Sequence, residues 1–397
     1  MPEFKPFRGI RYDTTRAAIG AVTAPPYDVI GPDERAHLLA RDPHNVVRVD
    51  LPDEADGPDR YDAAARTFAD WLAEGVLIRD DEPGFYVYRM DYTDDTGRSA
   101  HTLGVLGALA LSRPGEGDIL PHEHTTPKAK TDRLDLLRAT RVNLSTIWGL
   151  SLTSGLTELC RIDGAPDESW TDDDDVTHSL WFLTDAERCR RIADAVGASP
   201  VVVADGHHRY ETSVTYAAER RAADDDPEGA AWAMCYVVEL TEGELTVRPI
   251  HRLLGGVEAA SLTAALDGCF TSTDAGTVDA TITERMADAG ALCLVAPDGT
   301  GTFLVPREGA FDGVDDLDSA RLAHALAGLD GLEVRYQHGV DHILDALAAG
   351  EADFGVLLRP ATVAQIDANA RAGRRMPPKT TFFHPKPRTG PVFRGTD

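Results

Sequence analysis

One stretch, VVVADGHHRYETSVTYAAERRAA (201–223), constrains the fold more than any other. An apolar run ends in Asp205 and a single glycine, and from His207 onward the apolar positions recur at helical spacing. The segment reads as a short buried strand, a turn at Gly206, and a helix that starts at once. Around it the chain mixes both periods. The spacing predicts a helix over 60–74, with Ala64, Phe68, Trp71 and Leu72 on one stripe. A strand over 85–93 is expected to pair with 101–111 across the TDDTGRS turn. Further along, the pattern predicts a helix over 131–140, strands at TIWGLSL and HSLWFLT, and a helix in DAERCRRIADAVG that ends at Gly197. WAMCYVVELTEGELTVRPIHRLL reads as a hairpin with its turn at Glu242–Gly243.

No regular β-α-β rhythm runs through these elements, so the expected class is α+β (mixed α/β), neither a TIM barrel nor a Rossmann sheet. Neither G-x-x-x-x-G-K-[ST] nor G-x-G-x-x-G occurs, which leaves a P-loop and a dinucleotide fingerprint without support. A chain of 397 residues suits about two to three domains. The divisions expected are an N-terminal α/β region over 1–100, a core over 101–257 and a C-terminal α/β region over 258–397.

Composition bears on partners more than on fold. Asp and Glu number 66 against 39 Lys and Arg, a formal charge of −27, and such a surface repels nucleic acid. The acidic, lysine-poor balance points to a salty, halophilic cytoplasm in which repulsion is screened. No apolar run approaches the roughly 20 residues that span a bilayer. The N-terminus also lacks the apolar core of a signal peptide, so a cytoplasmic protein with no membrane partner is expected. Five dispersed cysteines with no C-x-x-C argue against a disulfide framework and a structural zinc site, and Cys235 and Cys293 read as core residues.

Lysine is nearly absent, which makes its positions informative. Beside Lys5, Lys128 and Lys130 lie in LPHEHTTPKAKTDR, and Lys379 and Lys386 lie in MPPKTTFFHPKPRTG. With 201–223, these two segments carry the plausible chemistry, and anionic phosphate is the ligand they suit best. In DGHHR, a strand that passes through glycine into a helix presents the first helical N–H groups and the positive end of the helix dipole. Gly206 admits a phosphate to the backbone, and Arg209 can clamp it through two parallel hydrogen bonds. Asp205 can orient a histidine, cap the helix or hold Mg²⁺. The plainer alternative is an N-cap at Asp205, surface His207 and His208, and an Arg209–Glu211 pair.

In the second segment, Glu123 between His122 and His124 can act as general base toward a hydroxyl, with cations nearby to keep it ionised. Lys128, Lys130 and Arg133 can neutralise phosphate or a substrate carboxylate. Glu123, His122 and Arg209 are thus the catalytic candidates, and Thr125, Arg133 and Tyr210 the substrate contacts. An exposed capping loop is the alternative, as is Zn²⁺ on His122, His124, His207 and His208, though no Cys or spaced third ligand accompanies them. In the third segment, Lys379, Thr380, Thr381 and Lys386 can close over a phosphate, with Phe382 and Phe383 against a base or the core. A basic tail paired with the acidic body is the alternative there. The three segments are expected to meet in one electropositive cup.

PPYDVI, PHEHT–K–DR, ATRVNLSTIWGL, ADGHHRYET, PIHRL and MPPKTTFFHPK, in that order along nearly the whole chain, resemble the bacterial and archaeal family known as domain of unknown function 1015. Over about 104–221, H-E followed by D-G-H-H-R after a short apolar strand is also similar to the ParB/sulfiredoxin-like superfamily, in its free serine kinase branch. That resemblance implies a ParB/sulfiredoxin-like core within 101–257. It implies nucleotide phosphates and Mg²⁺ on Asp205, Gly206, His207, His208 and Arg209, with Asp205 as metal ligand and Glu123 as general base. It further implies ATP or ADP as donor and a hydroxylated metabolite, L-serine first, as acceptor. A catalytically silent nucleotide-binding regulator is the other function it implies. The partners expected are nucleotide and small-molecule substrate, with a homodimer left open.

Overall fold

The computed structural model describes residues 1–95, 97–113, 117–121, 129–225 and 228–397, with backbone alone for 121 and 129–131. The chain forms two compact units, 1–246 with 385–397, and 247–384.

The first unit is built on a nine-stranded sheet. Its path runs Ile119–Pro121, Val201–Asp205, Ile147–Ser151, Trp232–Glu239, Ser99–Ala110, Phe85–Thr93, Thr177–Leu183 and Glu168–Thr171, with Phe4–Lys5 also paired to Ser99–Ala110. Two neighbouring pairs are parallel, Ile119–Pro121 with Val201–Asp205 and Ile147–Ser151 with Trp232–Glu239. The rest are antiparallel. This is the expected mixed α/β class.

Phe85–Thr93 and Ser99–Ala110 pair as the alternation predicts, from Tyr86 opposite Leu106 to Thr93 opposite Ser99. Both are buried continuously through their middles because the sheet is covered on both faces there. Gly107 is needed for that cover: a Cβ would lie 2.3 Å from the Phe4 ring, which stacks on Phe85 with centroids 5.0 Å apart. Ile192 and Val196 of helix Ala186–Gly197 bury against Val201, Val203 and Val105. A second cluster gathers Ala64, Phe68 and Trp71 of helix Arg60–Ala73 around Phe393 and Leu136. Helices Ala129–Thr140 and His207–Ala222 pack side by side, Leu137 meeting Tyr216.

The hairpin expected around Glu242–Gly243 does not form. Strand Trp232–Glu239 has both edges taken, by Ser99–Ala110 and by Ile147–Ser151, so nothing that follows it can pair there.

The second unit carries a six-stranded antiparallel sheet, in the order Phe270–Thr277, Thr300–Pro306, Leu292–Val295, Phe354–Leu357, His251–Gly255 and Glu333–Gln337. Cys235 in the first unit and Cys293 in the second are fully buried small core residues. Among the described residues no helix is long and apolar enough to cross a membrane.

Candidate functional site

Strand Val201–Asp205 is buried over its first four residues and leads through Gly206 into the 16-residue helix His207–Ala222. Gly206 has φ +85° and ψ 29°, a left-handed conformation that L side chains rarely adopt. A Cβ at this position would also lie 2.9 Å from Arg209 Nε. Two independent constraints therefore select glycine. No side chain caps this helix, so Asp205 is not an N-cap.

The Asp205 carboxylate instead binds two cations. Arg209 Nη2 reaches Oδ2 at 2.5 Å, and Lys386 Nζ reaches Oδ1 at 3.0 Å. Lys386 also pairs with Asp28 at 2.7 Å. Arg209 Nη1 donates to the Thr146 carbonyl, so the arginine is turned inward, with its side chain 10 % exposed. The surface Arg209–Glu211 pair is replaced by this buried link. Burial opposes the charge on Asp205, but Lys386 and Arg209 outweigh it and hold the carboxyl well below the usual range. Burial likewise opposes the charges of Lys386 and Arg209, and Asp205 and Asp28 raise both above their ordinary values.

Tyr27 extends the cluster. Its ring lies under Arg133 at 4.2 Å and near Arg209 at 6.0 Å. Arg133 donates through Nη1 to the Asp50 carbonyl at 2.6 Å and through Nε to Asp132 at 2.8 Å. Burial raises the Asp50 carboxyl against the opposing pull of Arg133 and Arg209. Asp28, Asp50, Asp132 and Asp205 thus face Lys386, Arg133 and Arg209. The electropositive cup expected from the sequence is corrected on this point: among the described residues each cation is matched by a carboxylate.

Two residues beyond Lys386, a closed circuit ties down Arg388. The Arg388 backbone N–H donates to the Tyr88 hydroxyl at 3.3 Å, and that hydroxyl meets His178 Nδ1 at 2.7 Å. His178 Nε2 lies 3.0 Å from Asp172, and Arg388 Nη1 closes the ring on the same carboxylate at 3.3 Å. All four residues are buried in side chain. One residue on, Thr389 exchanges backbone hydrogen bonds with Ala24, three residues before Tyr27.

Of the residues singled out in the sequence, Asp205, Gly206, Arg209, Arg133 and Lys386 come together. His207 and His208 are half-buried in the first helical turn. Tyr210, expected at the substrate, is a core residue whose hydroxyl bonds the Ser112 backbone. Lys379 lies in the second unit, with its carbonyl bound by Arg252. His122, Glu123, His124, Thr125 and Lys128 lie outside the described residues, as does the side chain of Lys130. Tyr27, Asp28 and Asp50 were not legible as site residues: PPYD reads locally as a turn, and its place among the ordered motifs was the one available signal.

The fit of a divalent ion at Asp205 is decided by Lys386. Its ammonium occupies the space between the Asp28 and Asp205 carboxylates that such an ion needs, and Arg209 takes the other Asp205 oxygen. As arranged, these residues do not fit Mg²⁺. No group of three or more His, Cys, Asp or Glu able to hold a metal occurs among the described residues.

Fold and site together define a mixed α/β protein whose charged cluster sits at a strand–glycine–helix junction. The family model described as "Protein of unknown function (DUF1015)" matches residues 4–324, and the chain belongs to that family. No curated protein matches it. Solved structures overlap it in part. A conserved hypothetical protein from Pyrococcus furiosus shares 11 % identity over 67 % of this chain and 87 % of its own, with a TM-score of 0.37. A free serine kinase in complex with AMP shares 13 % over 67 % and 83 %, with a TM-score of 0.36. SbnI with C-terminal truncation from Staphylococcus aureus shares 14 % over 72 % and 85 %, with a TM-score of 0.40.

Proposed function

We propose that the first unit binds a nucleotide by its phosphates at the start of helix His207–Ala222 and transfers a phosphoryl group to the hydroxyl of a small metabolite. L-serine is the first acceptor to test, with ATP or ADP as donor. The observation that carries this reading is the convergence of PPYD, DGHHR and HPKPR, three segments far apart in sequence, on one uncapped helix start. Phosphoryl transfer asks chiefly for positioned positive charge around the phosphate and an aligned hydroxyl. Helix N–H groups, Arg209 and Lys386 supply the first, and Arg133 adds a third cation near Tyr27. Glu123 is assigned as the general base from its place between two histidines. The reading requires an incoming phosphate to compete with Asp205 and Asp28 for Arg209 and Lys386.

That competition also favours a second reading, a nucleotide-binding regulator. A phosphate that draws Lys386 away from Asp28 and Asp205 changes the anchoring of 385–397, the kind of two-state element a switch uses.

The test is turnover of ATP or ADP with a panel of hydroxylated amino and hydroxy acids, in magnesium buffer at high KCl, comparing wild type with Glu123→Gln. Loss of turnover with nucleotide affinity retained supports the transferase. Nucleotide binding without product across the panel supports the regulator. Absence of nucleotide binding overturns both.

A further inference from the structure

The six-stranded sheet of the second unit ends on two unlike edges. At one, Phe270–Thr277 carries only small or polar side chains after Phe270, and its register with Thr300–Pro306 shifts between Asp274 and Gly276. Asp274 Oδ1 accepts from the Gly276 N–H at 2.9 Å within that bulge. A bulge and a carboxylate of this kind keep an open edge from pairing with another chain. At the other edge, Glu333–Gln337 pairs with His251–Gly255 residue for residue, with neither bulge nor proline. No strand among the described residues covers its outer side.

This open edge is apolar on one face. Side chains alternate along a strand, so Val334, opposite Leu254, and Tyr336, opposite Arg252, share one face, and Glu333 and Arg335 share the other. Val334 is 40 % exposed and Tyr336 47 %. They are two of only five large hydrophobic side chains so exposed among the described residues, which concentrates the exposure on this strand. An edge strand also turns every second N–H and C=O outward, so a further strand would satisfy backbone and cover Val334 and Tyr336 together.

Symmetry selects the partner. Two antiparallel copies of one strand related by a two-fold axis must centre on a single residue, because residues opposite each other share a face. Centred on Arg335, the pairing sets two guanidinium groups against each other. Centred on Tyr336, it sets Arg335 against Gln337, with no ion pair. Centred on Val334, it sets Val334 against its own copy and Glu333 against Arg335 twice, once in each direction. Glu351 holds Arg335 in place for this, accepting from it through its carbonyl and lying 3.5 Å away through its carboxylate. Opposite charges across an antiparallel ladder favour pairing and like charges oppose it, so the strand complements itself in one register.

We propose that the edge Glu333–Gln337 joins two copies of this chain in a two-fold dimer, with Val334 at the axis and a Glu333–Arg335 ion pair on either side of it. The two six-stranded sheets then continue as one. The inference concerns the second unit and does not rest on the phosphoryl-transfer reading. Two chains of formal charge −27 repel each other, so the dimer strengthens as salt screens that repulsion.

The experiment is sedimentation velocity of the full chain over a series of micromolar concentrations at high KCl, with the melting temperature of each variant confirming the fold. Wild type is expected to dimerise reversibly. Val334→Lys, at an exposed position, sets two ammonium groups against each other at the axis and should weaken association about tenfold. Glu333→Arg alone and Arg335→Glu alone each turn both ion pairs into like-charge contacts and should weaken self-association to a similar degree. An equimolar mixture of these two variants restores both ion pairs between unlike copies and should associate about as tightly as wild type. A wild type that stays monomeric at every concentration overturns the proposal. So does a dimer that Val334→Lys leaves intact, or a mixture that associates no better than its separate components.

Discussion

Lys386 Nζ stands 3.0 Å from the Asp205 carboxylate, a contact between two residues 181 positions apart, and 2.7 Å from Asp28. One of only five lysines therefore bridges the carboxylates that flank the helix start. Its ammonium both neutralises them and occupies the place of a divalent ion, and it is a cation that an arriving phosphate can recruit.

Replacing Lys386 with Met leaves Asp28 and Asp205 facing each other with no ammonium between them. Full burial of such a pair costs about 3–5 kcal/mol when one partner is removed. Asp28 is 40 % exposed in side chain, so about 1–3 kcal/mol is expected here, read as a lower urea midpoint. Adding Asp28→Asn should restore part of it. No recovery in the double variant would mean that the three charges do not act together.

Acid should weaken the first unit through Asp205. Its folded carboxyl lies below the ordinary 3.8, so its contribution is fully present above that pH and is lost as pH falls toward the folded value. Asp205→Asn should be less stable than wild type at neutral pH, and the gap should close as the pH falls below about 4. Urea unfolding across that range checks it, and a constant gap would remove Asp205 from the account.

His251 gives the second unit a separate acid response. Burial lowers its imidazole to about 4, and its unprotonated Nδ1 accepts from the Leu358 N–H at 3.2 Å. Between about pH 6.5 and 4 the unfolded chain binds a proton that the folded chain refuses, so stability falls with pH across that window. The full loss is on the order of 3 kcal/mol. His251→Gln, which keeps an acceptor but does not titrate, should flatten this slope; an unchanged slope would assign the response elsewhere.

Gly206→Ala combines a left-handed backbone with a Cβ 2.9 Å from Arg209 Nε. The backbone alone costs about 1–2 kcal/mol, and displacement of Arg209 from Asp205 adds to it. Thermal melts should show the loss, and nucleotide affinity should fall with it. Wild-type stability in this variant would mean that the turn relaxes freely.

Tyr88→Phe removes the hydroxyl shared by His178 and the Arg388 N–H in the buried circuit. A loss of about 1–3 kcal/mol is expected from the two groups left unsatisfied. Because Tyr88 contacts no ligand in the proposed site, weaker nucleotide binding at unchanged Arg209 geometry would identify it as a positioning residue for Lys386. Unchanged nucleotide affinity in a destabilised variant would confine it to stability.

Local pattern sufficed wherever one segment answers to its own periodicity. The 201–223 strand–glycine–helix, the pairing of Phe85–Thr93 with its neighbour and the helix ending at Gly197 were all readable, since hydrophobic period and glycine placement act over a few residues. The hairpin around Glu242 was not, because its failure depends on distant strands already occupying both edges of Trp232–Glu239. Motif chemistry marked Asp205, Gly206, Arg209, Arg133 and Lys386 as reactive types. It could not assign their partners.

From sequence alone came the mixed class, the resemblance carried by the order of the motifs and the segments rich in chemistry, all properties of residue type and spacing along the chain. Tertiary structure alone decided that Asp28 and Lys386 meet at Asp205, that Tyr27 lies under Arg133, and that Tyr210 belongs to the core. The reason is physical. Charge pairing and burial depend on distance in space, and a chain that closes its last residues over its first sets those distances only when the whole sheet is assembled.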